Sequence, residues 1–151
     1  MKKLELLIPP VMLVFIFMLL MSVISQRLEL ALLPALNEVA FIFALLGAAI
    51  AILGVLSFKQ AKTTVNPTKP ENSTSIVDTG VYRFTRNPMY LGMFLFLIGF
   101  GFYLSSLPAL IFSLLFVPYM TRFQILPEER VLSETFGNEY KSYQHRVRRW
   151  L

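Results

Sequence analysis

The chain has 151 residues, 56% hydrophobic and only 15% charged, with a formal net charge of +5 at pH 7. One domain, residues 1–151, is the expectation at this length, and so few charges cannot cover a soluble globule of this size. It has no cysteine and a single histidine, His145. This excludes disulfides, thiolate catalysis and cysteine-based metal centres, and leaves no conventional zinc set.

The apolar residues fall in long runs, and roughly 20 such residues cross the hydrocarbon core of a bilayer as a helix. Four spans are predicted, at about 6–25, 39–58, 88–104 and 107–125, giving an all-α polytopic membrane bundle. Pro9-Pro10 stand near the start of the first span, where proline is best tolerated. Lys2-Lys3 ahead of it imitate a signal peptide, but the apolar stretch is longer than an h-region and no small-x-small site comes after it, so it is expected to be retained. Ser105-Ser106 alone separate the third and fourth spans, which makes them an antiparallel hairpin. Lys2, Lys3, Lys59, Lys62, Lys69, Arg83, Arg86, Arg122, Arg130, Lys141, Arg146, Arg148 and Arg149 all fall on one side of this layout, and Arg27 on the other. The basic residues thus flank apolar spans and speak for membrane topology and against nucleic-acid binding. The positive-inside rule places both termini and the 59–87 loop in the cytoplasm.

In the second span Gly47, Ala51 and Gly54 share one helical face, as do Gly92 and Gly99 in the third, a pattern that lets membrane helices approach closely. Gly99-Phe100-Gly101 falls under the same packing reading. The 59–87 loop is polar, and a connection of about thirty residues is usually functional or disordered. The stretch from Pro127 to about Arg146 reads as helical, carrying Leu132, Phe136, Tyr140 and Tyr143 as an apolar stripe and interrupted at Gly137. Trp150 suits an interfacial anchor.

Polar residues cluster where the spans meet water. Asn87-Pro88 open the third span as an N-cap and first-turn proline, with Arg83, Arg86 and Tyr90 close by; a helix N-terminus flanked by arginines can hold an anion. Glu128-Glu129 come directly after Pro127. As first-turn acids they complement a helix dipole, and a carboxylate there can also hold an ammonium group. Arg122, near the end of an apolar span, either snorkels to the headgroups or meets a substrate. Arg146, Arg148 and Arg149 suit anionic headgroups, and His145 a plain surface position.

In order, the chain carries Gly80-Val81-Tyr82, Arg86-Asn87-Pro88-Met89-Tyr90-Leu91-Gly92, a helical hairpin, Glu128-Glu129, Phe136-Gly137-Asn138-Glu139-Tyr140, Tyr143 and a basic end. From about Thr74 to Arg149 this resembles the isoprenylcysteine carboxyl methyltransferase and phospholipid methyltransferase family of membrane-integral enzymes. The resemblance implies S-adenosylmethionine as cofactor, bound within residues 74–149 on the cytoplasmic side. Carried over by position, Thr74, Ser75, Ile76 and Val77 would line it through backbone contacts. Tyr82, Asn87, Pro88, Met89 and Tyr90 would complete the wall, and Glu128 would accept a hydrogen bond from its amino group with Glu129 in support. Candidates for catalysis are Tyr90, Glu129 and Arg122; no metal is implied.

Two positions depart from the family pattern. Asn87 stands where a histidine is usual, which removes any proton-transfer role there. Gln124 stands where the eukaryotic carboxyl methyltransferases place a substrate-contacting arginine. The implied acceptor is a lipid-like or small apolar molecule entering laterally from the bilayer; the acceptor group and the oligomeric state stay open. The size and lack of disulfides suit a bacterial inner membrane. Two other readings are an NADPH-dependent membrane reductase of related fold and a non-catalytic small membrane protein.

Overall fold

The computed structural model describes residues 5–28, 36–62 and 73–151; Lys2, Lys3, Lys69 and the middle of the long loop lie outside them. The described residues are helical and turn structure without a strand: α1 (Pro10–Arg27), α2 (Asn37–Gln60), a 3-10 turn (Gly80–Arg83), α3 (Pro88–Tyr103), α4 (Leu107–Ser113), α5 (Phe116–Met120), a π turn (Thr121–Ile125), α6 (Leu126–Phe136) and α7 (Asn138–Arg146). Among these, Pro10–Arg27, Asn37–Gln60 and the continuous column Leu107–Phe136 are long and apolar enough to cross a membrane. The third predicted span, α3, is shorter at 16 residues, about 24 Å along its axis.

α2 and α3 form the tightest pair. They run antiparallel, with Ala40 opposite Gly99, Gly47 opposite Gly92 and Gly54 opposite Met89. A Cβ on Gly47 would stand 2.5 Å from the Gly92 carbonyl oxygen, and one on Gly92 would stand 3.0 Å from the Ala51 Cβ. The backbones therefore touch, which is how helices gain packing contacts where surrounding lipid is as apolar as the side chains. α3 turns into α4 at Ser105, whose φ is +50°, and the Ser106 hydroxyl accepts from the Ala109 amide at 3.4 Å, capping α4. α1 packs on this hairpin: Phe17 meets Phe112 and Phe116 at ring separations of 5.3 and 5.5 Å. Leu13, Met21, Leu97, Met120 and Ile125 fill the same core.

Hydropathy ends the fourth span at residue 125 and predicts a separate helix from Pro127. Instead α4, α5, the π turn and α6 stack into one helical column. Pro127 lacks the N–H that a helix would present to the Phe123 carbonyl. Two adjustments accommodate it: the turn widens, so that the Leu126 amide bonds the Thr121 carbonyl, and the Phe123 carbonyl accepts from the Leu6 amide at 3.0 Å. Gly137, at φ +55°, then breaks α6 from α7 as expected. The predicted stripe packs inward, with Leu132 and Phe136 against Tyr140, Tyr143, Val147 and Ile76. Segments 5–9, 73–87 and 147–151 thus gather at one end of the bundle.

Candidate active site

Three elements converge at that end: the entry to α3, the π turn with the first turn of α6, and the segment after α7. Glu128 and Glu129 are adjacent on α6, yet their carboxylates meet different partners. Glu129 is buried and ion-paired twice. Arg86 donates to its Oε1 at 2.6 Å, while Arg149 donates through Nε to Oε1 at 3.0 Å and through a terminal nitrogen to Oε2 at 2.8 Å. The Glu129 carboxylate in turn raises the Arg149 guanidinium above its usual value, its hydrogen bond outweighing partial burial.

Arg86 is nearly enclosed, its side chain 8% exposed. It also donates to the carbonyls of Gln144 (3.2 Å) and Val147 (2.5 Å). Around it the backbone after α7 is wired to the entry of α3. The Arg86 amide bonds the Arg148 carbonyl at 2.9 Å, and the Arg149 carbonyl accepts from Thr85 Oγ1 (3.2 Å) and Asn87 Nδ2 (2.9 Å). This corrects three expectations. Arg86 serves an internal carboxylate instead of an exogenous anion. Asn87 directs its side-chain amide at Arg149 and does not cap α3 through it. Arg149 faces Glu129 and not headgroups. Trp150 likewise turns inward, donating to Thr121 Oγ1 at 3.0 Å.

Glu128 is half-buried, and its Oε1 accepts from the Tyr90 hydroxyl at 2.5 Å and from Gln124 Nε2 at 2.7 Å. Among the described residues no cationic side chain pairs with it. Two neutral donors fix one oxygen of its carboxyl group, which faces no protein cation among the described residues; a carboxylate so placed accepts an ammonium donor well. Tyr82 is buried nearby, edge-on to Phe58 at 5.3 Å. Burial, with the neighbouring Tyr143 and then Glu128 adding to it, pushes the Tyr82 phenol far above the ordinary tyrosine range. Burial does the same to Tyr140 and Tyr143. Tyr143 is therefore a neutral donor at physiological pH, and it bonds the Tyr82 carbonyl at 2.8 Å.

The structure thus brings Tyr82, Tyr90, Glu128 and Glu129 to one end, with Pro88 and Met89 in the first turn of α3 beneath them. Residues 74–77 lie against α7 and the end of α2. Ser75 Oγ reaches the Ala61 carbonyl at 3.4 Å, Thr74 Oγ1 the Lys62 carbonyl at 3.5 Å, Ile76 packs on the Tyr140–Tyr143 cluster, and Val77 is buried. Arg122 instead pairs with Glu5 at 3.1 Å. Sequence reasoning missed Gln124 as a donor, although its spacing of four from Glu128 is the helical neighbour distance. It also missed Glu5, for which no local signal exists. His145 is exposed, as expected, and no cluster of metal-ligating side chains occurs among the described residues.

The family model for phospholipid methyltransferases matches residues 36–139. An uncharacterized protein of Haemophilus influenzae is 38% identical over 63 residues, 42% of this chain and the whole of that protein. The protein-S-isoprenylcysteine O-methyltransferase of Saccharomyces cerevisiae is 35% identical over 80 residues, 53% of this chain. That of Schizosaccharomyces pombe is 32% identical over 73 residues, 48% of this chain. The aligned parts are 34% and 30% of those two enzymes, so the chain spans about a third of their length.

Proposed function

Because the chain belongs to the phospholipid methyltransferase family, we propose that it is an integral membrane methyltransferase that uses S-adenosylmethionine to methylate a lipid-like or small apolar acceptor. The observation that carries this reading is the contrast between the two glutamates. Glu129 is saturated by Arg86 and Arg149, whereas Glu128 is oriented by Tyr90 and Gln124 and, among the described residues, paired with no protein cation. A carboxylate so held fits the ammonium group of this cofactor.

When bound, the cofactor supplies an electrophilic sulfonium methyl, so in-line transfer chiefly requires positioning and exclusion of water. Glu128 would hold the ammonium, Tyr90 and Gln124 would fix the direction of its carboxylate, and Tyr82, Asn87, Pro88 and Met89 would form the adjoining wall. Residues 74–77 would close the site through their backbone. Glu129 acts through the ion pairs that lock the entry of α3 onto α6. The acceptor reaches this end from the bilayer, and the site faces the cytoplasm of what we take to be a bacterial inner membrane. The family match favours this reading over a nicotinamide-dependent reductase.

The test is calorimetric titration of S-adenosylhomocysteine into the detergent-purified chain, with Glu128→Ala beside it. Saturable binding that the substitution abolishes is the expected result. Absence of binding by the folded, lipid-supplied protein would overturn the reading.

A further inference from the structure

The π turn decides where Glu128 points. A turn closed five residues apart contains one more residue than an α-helical turn, and each residue rotates the helix beyond it by about 100°. Without the widening at Thr121–Ile125, the face of α6 that carries Glu128 would be swung away from Tyr90. Such a turn is not favoured by backbone hydrogen bonding alone, and here groups from outside the helix brace it. Leu6 donates its amide, at 3.0 Å, to the Phe123 carbonyl, whose α-helical donor would be the N–H that Pro127 lacks. Glu5 spans the turn, one oxygen on Arg122 at 3.1 Å and the other on Arg130 at 2.8 Å. Arg122 lies within the π turn and Arg130 beyond it, and the Glu5 side chain is only 13% exposed.

We infer that Glu5 is a positioning residue for the cofactor site: by clasping Arg122 and Arg130 across the π turn, it holds the turn in its wide register and keeps the Glu128 carboxylate on Tyr90. Glu5 bonds none of the residues assigned to the cofactor, and it acts through the turn. Ordinary surface ion pairs stabilise little. A clasp over a widened helical turn differs in that its loss changes local geometry. The inference rests on Glu128 being the cofactor carboxylate, so the experiment has two arms.

Amide hydrogen exchange and S-adenosylhomocysteine affinity are measured on the full chain in detergent for the wild type, Glu5→Gln, Glu5→Asp and Arg130→Gln. Glu5→Gln should speed exchange at least about tenfold in residues 121–130 while leaving α2 and α3 unchanged, and should weaken binding about tenfold. Glu5→Asp, which keeps the charge, should recover most of both. Arg130→Gln removes one arm from a half-exposed side chain and should give the same local signal to a smaller extent, which covers the case in which Glu5→Gln fails to fold. Wild-type exchange and affinity in Glu5→Gln and Arg130→Gln would overturn the inference. So would acceleration spread evenly over α2 and α3, since that marks a merely structural role. If the wild type binds no cofactor analogue, the reading of Glu128 falls, and the exchange arm still decides whether Glu5 holds the turn.

Discussion

At the scale of single residues, two adjacent glutamates are held differently because their neighbours differ in charge. Tyr90 bonds Glu128 at 2.5 Å, and phenylalanine fills nearly the same volume without the hydroxyl. Tyr90→Phe should therefore leave the fold intact and weaken S-adenosylhomocysteine binding about tenfold, about 1.4 kcal/mol, at the lower end for a hydrogen bond to a charged group. Isothermal calorimetry checks this. Glu129→Gln acts on stability instead. It leaves Arg86, 8% exposed, without a countercharge, and breaking a buried pair from one side costs about 3 kcal/mol. A matching fall in the detergent unfolding transition is the expected outcome. The family resemblance singles out Tyr90 and Glu128 from the sequence, and the structure brings their side chains into hydrogen-bond contact. The Arg86–Glu129–Arg149 arrangement was not legible there, since ion pairs between residues 43 and 20 positions apart leave no local pattern.

At the scale of elements, hydropathy and helix punctuation located most boundaries. Pro10 and Pro88 begin their helices, and Ser106 caps α4. The small residues of the second and third spans do form a seam, and Gly92→Leu tests it. Its side chain would collide with Ala51 and the Gly47 backbone, and overpacking of this kind costs about 1–3 kcal/mol. Loss of α2–α3 cohesion should appear as a lower unfolding midpoint.

The clasp at the π turn makes a separate prediction in acid. The hydrogen bond from Arg122, opposed by partial burial and aided by Arg130, holds the Glu5 carboxyl below its ordinary value of 4.5. With a depressed folded value, its stabilisation is full above pH 4.5 and is lost as pH falls through the folded value. Trp150, the single tryptophan, bonds Thr121 in the same turn. Its fluorescence should therefore show an acid transition below pH 4.5 that Glu5→Gln lacks.

At the scale of the whole molecule, the positive-inside reading puts the basic segments on one side of the membrane; of these, the described residues 5–9, 73–87 and 147–151 lie at one end of the bundle. Which compartment that end faces is testable because the chain has no cysteine. A membrane-impermeant thiol reagent on intact cells should label Gln26→Cys, at the opposite end of α1, and should reach Thr135→Cys on α6 only after permeabilisation. The reverse pattern would invert the proposed orientation.

Composition and motif order by themselves determined a helical membrane protein, the hairpin of α3 and α4, and the family to which the chain belongs. Hydropathy, caps and contiguous motifs are local properties, and a linear chain displays them directly. Only the tertiary structure decided that the fourth helix runs unbroken past Pro127, that Glu129 is locked by two arginines while Glu128 is held by neutral donors, and that Glu5 reaches across to Arg122 and Arg130. Each of these depends on groups brought together from distant parts of the chain to satisfy a carbonyl or a charge. Which group does so is settled by packing in three dimensions.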